Sequence, residues 1–253
     1  MKRFLILLFM LFCGVAFAAT ETINWYMDGN TYATTTCQTG GDIILPTTPY
    51  KYGYTFQGWV AYIPIEYIES TGAQWINADI LQKNTLTSIK QYIGFGYSQL
   101  PNRRELSGFD ASKDNYFGAT PSGSNVVFDI QPSPKGTYPI QANTKYDLYM
   151  EQTNAQTIFK VFLNNNLVDS LLANNYNGFN SSSLYIFRTS SNYTPLSNAR
   201  IYYYRVYFDD TLVRDFIPVL YKDGTPCMYD KVTDKCFYNS GTGNFIAGPV
   251  ITE

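Results

Sequence analysis

The sequence predicts an all-β protein, a two-sheet sandwich with a small β-module in front of it. Composition is the first reason: aromatics make up 17% of the 253 residues, with 23 Tyr, while charged residues are only 15%. Gly, Asn, Ser and Thr fill the gaps between apolar runs, a mixture that favours strands and turns. The second reason is the lack of a sustained i, i+3, i+4, i+7 apolar pattern. The one weak case, Asn165-Asn166-Leu167-Val168-Asp169-Ser170-Leu171-Leu172, fits a strand pair better. The third is that short runs recur with turn signals between them, at 88–97, 115–119, 125–130, 145–152, 158–163, 183–188, 199–208 and 212–217.

Taken in order, the chain opens with Lys2 and Arg3, an apolar run over 4–12, and Ala16-Phe17-Ala18. This is the grammar of a secretory signal peptide over 1–18. The run is short for a membrane span and ends at a cleavage pattern rather than a basic stop. Cys13 follows Phe12, where a lipoprotein needs a small residue, so lipidation is rejected. Cleavage removes two basic residues, taking 18 basic against 20 acidic to 16 against 20, a balance of −4. That charge suits neither nucleic acid nor anionic lipid. About 235 residues remain, enough for one sandwich and a small satellite. The expected product is secreted, periplasmic or at the cell surface of a bacterium, with no membrane insertion after cleavage.

The first mature segment, 20–62, has a strand-like run at 23–27 and an Asp28-Gly29 turn. A run at 42–45 ends at Pro46, and Tyr54-Thr55-Phe56 sits between Gly53 and Gly58, before Trp59. Gly53-Tyr54-Thr55-Phe56-Gln57-Gly58-Trp59, following Ile44-Leu45-Pro46 and Pro49, is similar to the Listeria-Bacteroides repeat, also called the internalin B-repeat. That resemblance implies a small β-grasp-like module in which Tyr54, Phe56 and Trp59 are core. A module of this size has little core of its own. It is expected either to dock on the larger C-terminal segment or to stand as an appendage before Ile63-Pro64.

In the second segment, 65–250, two short strands meet at Ser70-Thr71-Gly72. Ile201, Tyr203, Arg205 and Tyr207 alternate with Tyr202, Tyr204, Val206 and Phe208, leaving both faces rather apolar, as in a strand of a two-sheet stack. The closing stretch, 212–243, is strand grammar: a run halted at Pro218, a turn at Asp223-Gly224, short strands at 227–229 and 236–238, and a turn over 239–243. Glu66-Tyr67-Ile68-Glu69-Ser70-Thr71-Gly72, Ala142-Asn143-Thr144-Lys145-Tyr146, Ala199-Arg200-Ile201-Tyr202 and Leu212-Val213-Arg214-Asp215-Phe216-Ile217-Pro218 occur in that order. Met228-Tyr229-Asp230 and 237–243 complete the set. Together they resemble the concanavalin A-like, laminin-G-like jelly rolls of bacterial and phage surface proteins. The resemblance implies a two-sheet jelly roll used for glycan or protein binding and no set catalytic act. Within it, Arg214, Asp215 and Tyr229 are expected to lock the fold.

Enzyme chemistry finds little footing, and no enzyme is expected. The chain has no His, which removes His-dependent triads and His-containing zinc sites. The E-x-D-x-x-E strand that some glucanases of concanavalin-like fold use is absent. Glu66 and Glu69 leave opposite faces of a strand, so they read as a solvated opening strand, with Glu69 accepting bonds from the following turn. No cofactor is implied. Calcium is the one metal to weigh, at Asp110, Asp114 and Asn115 or at Asp209-Asp210. Neither cluster has EF-hand spacing, Lys113 lies inside the first, and both fit solvated turns.

A secreted, non-catalytic binding module remains, with glycan or a host or bacterial surface protein as its partner. The longest irregular polar stretch, 101–123, offers Arg103, Asp110, Asn115 and Tyr116 as ligand-binding candidates, since an aromatic face stacks on a sugar ring while polar groups bond its hydroxyls. The alternative is a structural or adhesive envelope protein engaging other proteins, which predicts a large exposed apolar area. Of the three cysteines left after cleavage, Cys227 and Cys236 are expected as a disulfide across the last hairpin. That register pairs Met228 with Lys235 and Tyr229 with Asp234, turning at Lys231-Val232. Such a short loop adds roughly 2 to 3 kcal/mol by loop-closure entropy. The turn lacks Asn-Gly or Asp-Gly, so a slip of one residue in register is allowed, and Cys37 is left buried or as a free thiol.

Overall fold

The computed structural model describes residues 6–7, 20–27, 30–53, 56, 61–81, 83, 85–100, 106–109, 117–122, 124–130, 133–153, 156–174, 183–188, 195–221 and 224–251. Among them every regular element is a strand. The leading part contributes β1 (Ile6–Leu7), β2 (Thr20–Met27), β3 (Asn30–Gln38) and β4 (Ala61–Pro64). Then come β5 (Ile68–Thr71), β6 (Ile76–Leu81), β7 (Ser88–Tyr97), β8 (Ser107–Phe109), β9 (Phe117–Ser122), β10 (Asn125–Ile130), β11 (Ser133–Pro139) and β12 (Tyr146–Thr153). The remainder forms β13 (Gln156–Leu163), β14 (Asn166–Asn174), β15 (Ser183–Ile186), β16 (Ser197–Phe208), β17 (Thr211–Tyr221), β18 (Thr225–Asp230), β19 (Lys235–Phe237) and β20 (Ile246–Ala247). Apart from β1, the expected signal peptide lies outside the described residues. No helix among the described residues is long and apolar enough to cross a membrane.

The strands form the expected two-sheet, jelly-roll-class sandwich. The larger sheet runs β14, β13, β12, β7, β16, β17, β4, β1, β2, β3, with β5 also on β16, β20 on β5, β18 on β17 and β19 on β18. The smaller sheet runs β11, β10, β9, β8, β15, β6. β12 alternates buried and half-buried residues along its whole length. Its buried Leu148 and Met150 join Phe159 and Val161 of β13 and Ile89, Ile93 and Phe95 of β7 in one cluster with Phe109, Leu184 and Ile186 of the smaller sheet. Each such side chain taken from water stabilises the fold by roughly 1.5 to 3 kcal/mol. Inside this core the Tyr204 hydroxyl bonds Gln91 of its own sheet and, at 3.1 Å, Ser107 of the other.

Several expectations change. The two strands expected to join at Ser70-Thr71-Gly72 are present and lie in different sheets, β5 in the larger and β6 in the smaller. Gly72, at φ +101°, makes the crossing, and its Cβ would sit 3.1 Å from Ser197. Gln74, not Glu69, braces that turn: its Oε1 accepts from Thr71 N (2.7 Å) and Oγ1 (2.9 Å), and its amide donates to Thr242 O (3.0 Å). Glu69 instead accepts from Arg200 Nε at 2.7 Å and from Ser98. Pro218 does not end its strand. β17 pairs with β16 only as far as Phe216 and with β4 only from Val219, while Pro218 O accepts from Ile65 N at 3.1 Å. The missing proline donor thus faces the gap where one neighbour has ended and the next begins.

The leading part holds a hairpin, β2 on β3, whose second strand, Thr-rich 30–38, carries no apolar run to announce it in the sequence. Ile23 and Trp25 are buried against Ala33, Cys37 and Ile43, and Trp25 Nε1 donates to Thr35 Oγ1 at 2.7 Å. The run at 42–45 is irregular rather than a strand, with Ile44 and Leu45 exposed. Tyr54 and Trp59 lie outside the described residues. β4 extends the larger sheet on β17, and Tyr62 packs on Tyr229, ring centroids 4.8 Å apart.

The disulfide expected between Cys227 and Cys236 does not form; both are thiols. The hairpin is two residues out of the expected register, with Tyr229 opposite Cys236 and Asp230 opposite Lys235, while Cys227 faces Val219 on β17. The reason is Asp230, wholly buried. Its carboxylate accepts from Asp215 N (2.8 Å), Val232 N (3.2 Å) and Thr233 Oγ1 (2.7 Å), which fixes a four-residue turn over 231–234. Asp234, in the left-handed region at φ +55°, accepts the Tyr229 hydroxyl at 2.9 Å. Arg214 lies 3.7 Å from Asp230 Oδ2 and crosses between sheets, its guanidinium donating to Ala78 O (2.9 Å) and Asp79 O (2.7 Å) of β6.

Asp230→Ala is expected to lower unfolding free energy by about 3 kcal/mol, because it leaves Arg214 buried without its counter-charge; chemical denaturation measures this, and a loss below about 1 kcal/mol would overturn the assignment. Burial, the Asp234 charge and the hydrogen bond to Asp234 push the Tyr229 hydroxyl well above its ordinary range, and burial does the same to Tyr204. With folded values raised, their stabilisation is complete below the unfolded tyrosine value of about 10 and is lost as pH climbs above it. Tyrosinate absorbance should therefore titrate in two classes, the later one coinciding with loss of tertiary signal; a single class with the fold retained would contradict this.

Candidate functional site

The residues nominated from sequence, Arg103, Asp110, Asn115 and Tyr116, all lie outside the described residues, as does Asp114 of the first calcium candidate. The second candidate is committed to the fold. Asp209 Oδ1 accepts from Thr87 N (2.7 Å), Thr87 Oγ1 (2.7 Å) and Ser88 N (2.9 Å), capping the start of β7, bonds that hold its carboxyl below its usual range. Asp210 pairs with Lys90. Among the described residues no group of three or more His, Cys, Asp or Glu is placed to hold a metal.

The structure brings together a different set, on the outward face of the larger sheet. Strand register lays it out in rows. One row crosses β17, β16, β7, β12 and β13 as Asp215, Arg205, Tyr92, Tyr149 and Lys160. The next, toward one end of the strands, is Tyr207, Lys90, Glu151 and Ile158, and the row on the other side is Tyr203, Gly94, Asp147 and Phe162. Tyr92 stands in the middle, 37% exposed, with the Tyr149 ring 4.8 Å and the Tyr207 ring 5.7 Å from its own.

A bulge shapes the other end. Ile201 pairs with Phe95 and Tyr203 with Gly94, so Tyr202 is the extra residue on β16. The alternation expected over 201–208 therefore breaks: Ile201, Tyr204 and Val206 are buried, while Tyr202 and Tyr203 are both half-buried beside one another. Bulges re-aim side chains in this way. Gly94 of β7 makes room for the rings: a Cβ there would come 2.6 Å from Tyr203 Cε1 and 3.2 Å from Tyr202 Cβ, while one on Gly96 would meet the backbone carbonyl of Thr144 at 2.8 Å. Tyr203 lies across Gly94 to donate its hydroxyl to Asp147 Oδ1 at 2.8 Å, and Tyr67 packs edge-on to Tyr202 at 5.4 Å.

The charged groups around the rings are largely matched. Arg205 Nε meets Asp215 Oδ1 at 3.0 Å, Arg200 meets Glu69, and Lys90 stands between Asp210 and Glu151, 3.8 Å from the latter. Lys160 lies 5.6 Å over Tyr149, and Lys145 5.1 Å over Tyr202. Tyr149 donates to Glu151 Oε2 at 2.6 Å. Burial first, and these carboxylate bonds second, raise the Tyr149 and Tyr203 hydroxyls well above their ordinary range, so both are donors at neutral pH. The arrangement presents ring faces and oriented polar edges; its carboxylates accept tyrosine hydroxyls rather than facing one another as an acid and a base. A second aromatic patch, Trp75 with Tyr185 on the smaller sheet, is already covered by the buried Arg188, whose guanidinium lies 3.1 Å from the Trp75 ring centre. The tyrosine face is hidden in the sequence because its rows are assembled from five strands spread over residues 88–221. The local signal was the pair Gly94 and Gly96 inside a strand, which marks close approach by another group.

No protein-family model and no curated protein matches the chain in sequence. Among solved structures it is similar to a protein of Bacteroides ovatus ATCC 8483 to which carbohydrate binding is ascribed, with a TM-score of 0.50 and 10% identity over 92% of this chain and 69% of that one. Looser likenesses are to the polysaccharide lyase family 7 alginate lyase AlgAT5, with a TM-score of 0.36, 14% identity and 51% of this chain covered, and to the exoplasmic/lumenal domain of VIP36 in metal-free form, with a TM-score of 0.34, 9% identity and 50% of this chain and 71% of that one covered. The chain spans 62% of the length of the lyase. The Bacteroides ovatus likeness is one of fold, and it covers the all-β sandwich described above.

Proposed function

We propose that the chain is a non-catalytic carbohydrate-binding module, exported to the surface or periplasm of a bacterium, that grips glycan with the tyrosine face of its larger sheet. The observation that carries this reading is Tyr92: it is exposed on the outward face of the larger sheet, between the Tyr149 and Tyr207 rings and opposite Arg205 of β16. The apolar face of a pyranose stacks on such rings, and fixed polar groups at their margin take its hydroxyls. A non-catalytic role is supported by the lack of His and by the engagement of Asp147 and Glu151 with tyrosine hydroxyls. The fold shared with the Bacteroides ovatus protein adds analogy only. The same proposal takes 20–62 as an internalin-type repeat and 65–250 as a concanavalin A-like, laminin-G-like domain.

A second reading, adhesion to another protein, draws on Leu167 and Leu172 of the edge strand β14, 54% and 62% exposed. Affinity electrophoresis in gels cast with soluble polysaccharides separates the two. Tyr92→Ala is expected to weaken retardation about tenfold, the loss of roughly 1.4 kcal/mol of ring stacking, while leaving the thermal midpoint close to that of the parent. Equal retardation of parent and variant would remove Tyr92 from the site, and a parent protein retarded by none of the polysaccharides would favour adhesion.

A further inference from the structure

We infer that two copies of the chain join through β14, edge to edge and antiparallel, into one continuous sheet that presents both tyrosine faces on the same side. Among the described residues β14 pairs only with β13, so it ends the larger sheet with its other side open. An apolar edge of that kind recruits a further strand unless something blunts it. The other sheet ends are blunted. β11 carries Pro134, Lys135 and Pro139, and the Ala78 and Asp79 carbonyls of β6 are taken by Arg214. β3 is met by the returning chain, where the Tyr32 hydroxyl donates to Thr47 O at 3.2 Å, and β19 and β20 are three and two residues long. β14 is protected over its first half alone: a bulge at Val168 interrupts the ladder, and the Asp169 carboxylate accepts from Ser170 N at 2.8 Å. From Ser170 to Asn174 the strand has no charge, no proline and no bulge.

The open stretch fits a second copy by its own symmetry. A two-fold axis perpendicular to the sheet at Leu172 sets Leu172 against its counterpart, Leu171 against Ala173 and Ser170 against Asn174. In that register the two Asp169 residues lie six positions apart along the strands, about 20 Å, so the edges meet without like-charge contact. Leu172, 62% exposed, is on the tyrosine side, because it pairs with Ile158 in the row of Tyr207, Lys90 and Glu151. Joining the copies turns Ile158, Leu172 and their counterparts into one apolar strip across the seam, which takes the exposed leucine out of water. The same axis leaves the two Tyr92 side chains on one side of the joined sheet, seven strand spacings or about 34 Å apart. The dimer stands on the strand edge alone, whereas its consequence, attachment of one polysaccharide at two points, rests on the glycan reading above.

Sedimentation velocity of the purified protein over a concentration series tests the interface. Expected is a monomer–dimer equilibrium for the parent. Leu172→Lys should be monomeric at every concentration with the parent's thermal midpoint, because the position is exposed and a charge there blunts the edge. Leu172→Cys should be joined into covalent dimers by a short bifunctional thiol reagent, whereas Val232→Cys, exposed on the turn over 231–234, should cross-link no more than the parent. A parent that is monomeric throughout would overturn the proposal and leave β14 to a strand of another protein. A Leu172→Lys variant as dimeric as the parent would overturn it by placing the interface elsewhere. In affinity gels the dimer should be retarded by a polysaccharide at least about tenfold more strongly than the monomeric variant, with equal affinity of the two for a short oligosaccharide. Dimerisation without retardation by any polysaccharide would keep the interface and overturn the carbohydrate reading; retardation of a monomeric parent would do the reverse.

Discussion

The sandwich depends on one buried ion: Arg214. Its strand, β17, belongs to the larger sheet, yet its guanidinium donates to two carbonyls of β6 in the smaller one. A cation in that interior costs several kcal/mol unless it is both paired and hydrogen-bonded. The Ala78 and Asp79 carbonyls and the Asp230 carboxylate meet both needs, so the sheets are joined by directional bonds as well as by apolar area. The same Asp230 sets the turn over 231–234 and with it the pairing of β18 and β19. One polar pair thus decides the spacing of the sheets and the register of the closing hairpin. The register it selects puts Tyr229, not Cys227, across from Cys236.

The tyrosine face follows from the other end of that frame. With β17 held in place, β16 lies beside it and β7 beyond, and the outward rows are aligned across them. A single extra residue, Tyr202, turns two neighbouring tyrosines outward, and the absence of a side chain at Gly94 lets the Tyr203 ring lie on the sheet instead of standing from it. Bulge and glycine act as one device, since a Cβ on Gly94 would collide with the ring that the bulge turns outward. Carboxylates on β12 then fix the rings by accepting their hydroxyls, Tyr149 to Glu151 on its own strand and Tyr203 to Asp147 from the strand beyond β7.

Much of the fold was legible in the residues. The strand run at 125–130 matches β10, that at 88–97 matches β7, and the doubtful 167–172 stretch belongs to a strand, because period-two burial and turn chemistry are local signals. Arg214 and Tyr229 have the locking roles expected of them, while the Asp215 side chain pairs with Arg205 on the outward face. The errors share a cause. Pro218 reads as a strand end because a missing donor looks fatal until its neighbours are known. The hairpin register reads two residues out because the deciding group, Asp230, bonds to Asp215, a residue on another strand. β3 is easily passed over because its Thr-rich alternation is weaker than the apolar runs around it.

The sequence by itself determined that this chain is all-β, that its apolar residues fall into short strands, and that it lacks the His chemistry of many enzymes; these depend on composition and on spacings of a few residues. Only the tertiary structure decided which strands share a sheet, where a bulge shifts the faces, and which of 23 tyrosines stand together. That division is physical. Side-chain direction along a strand is set by the backbone's own period of two, whereas a site on a sheet face is built from register between strands, and register is chosen by contacts between residues as far apart as Tyr92 and Arg205.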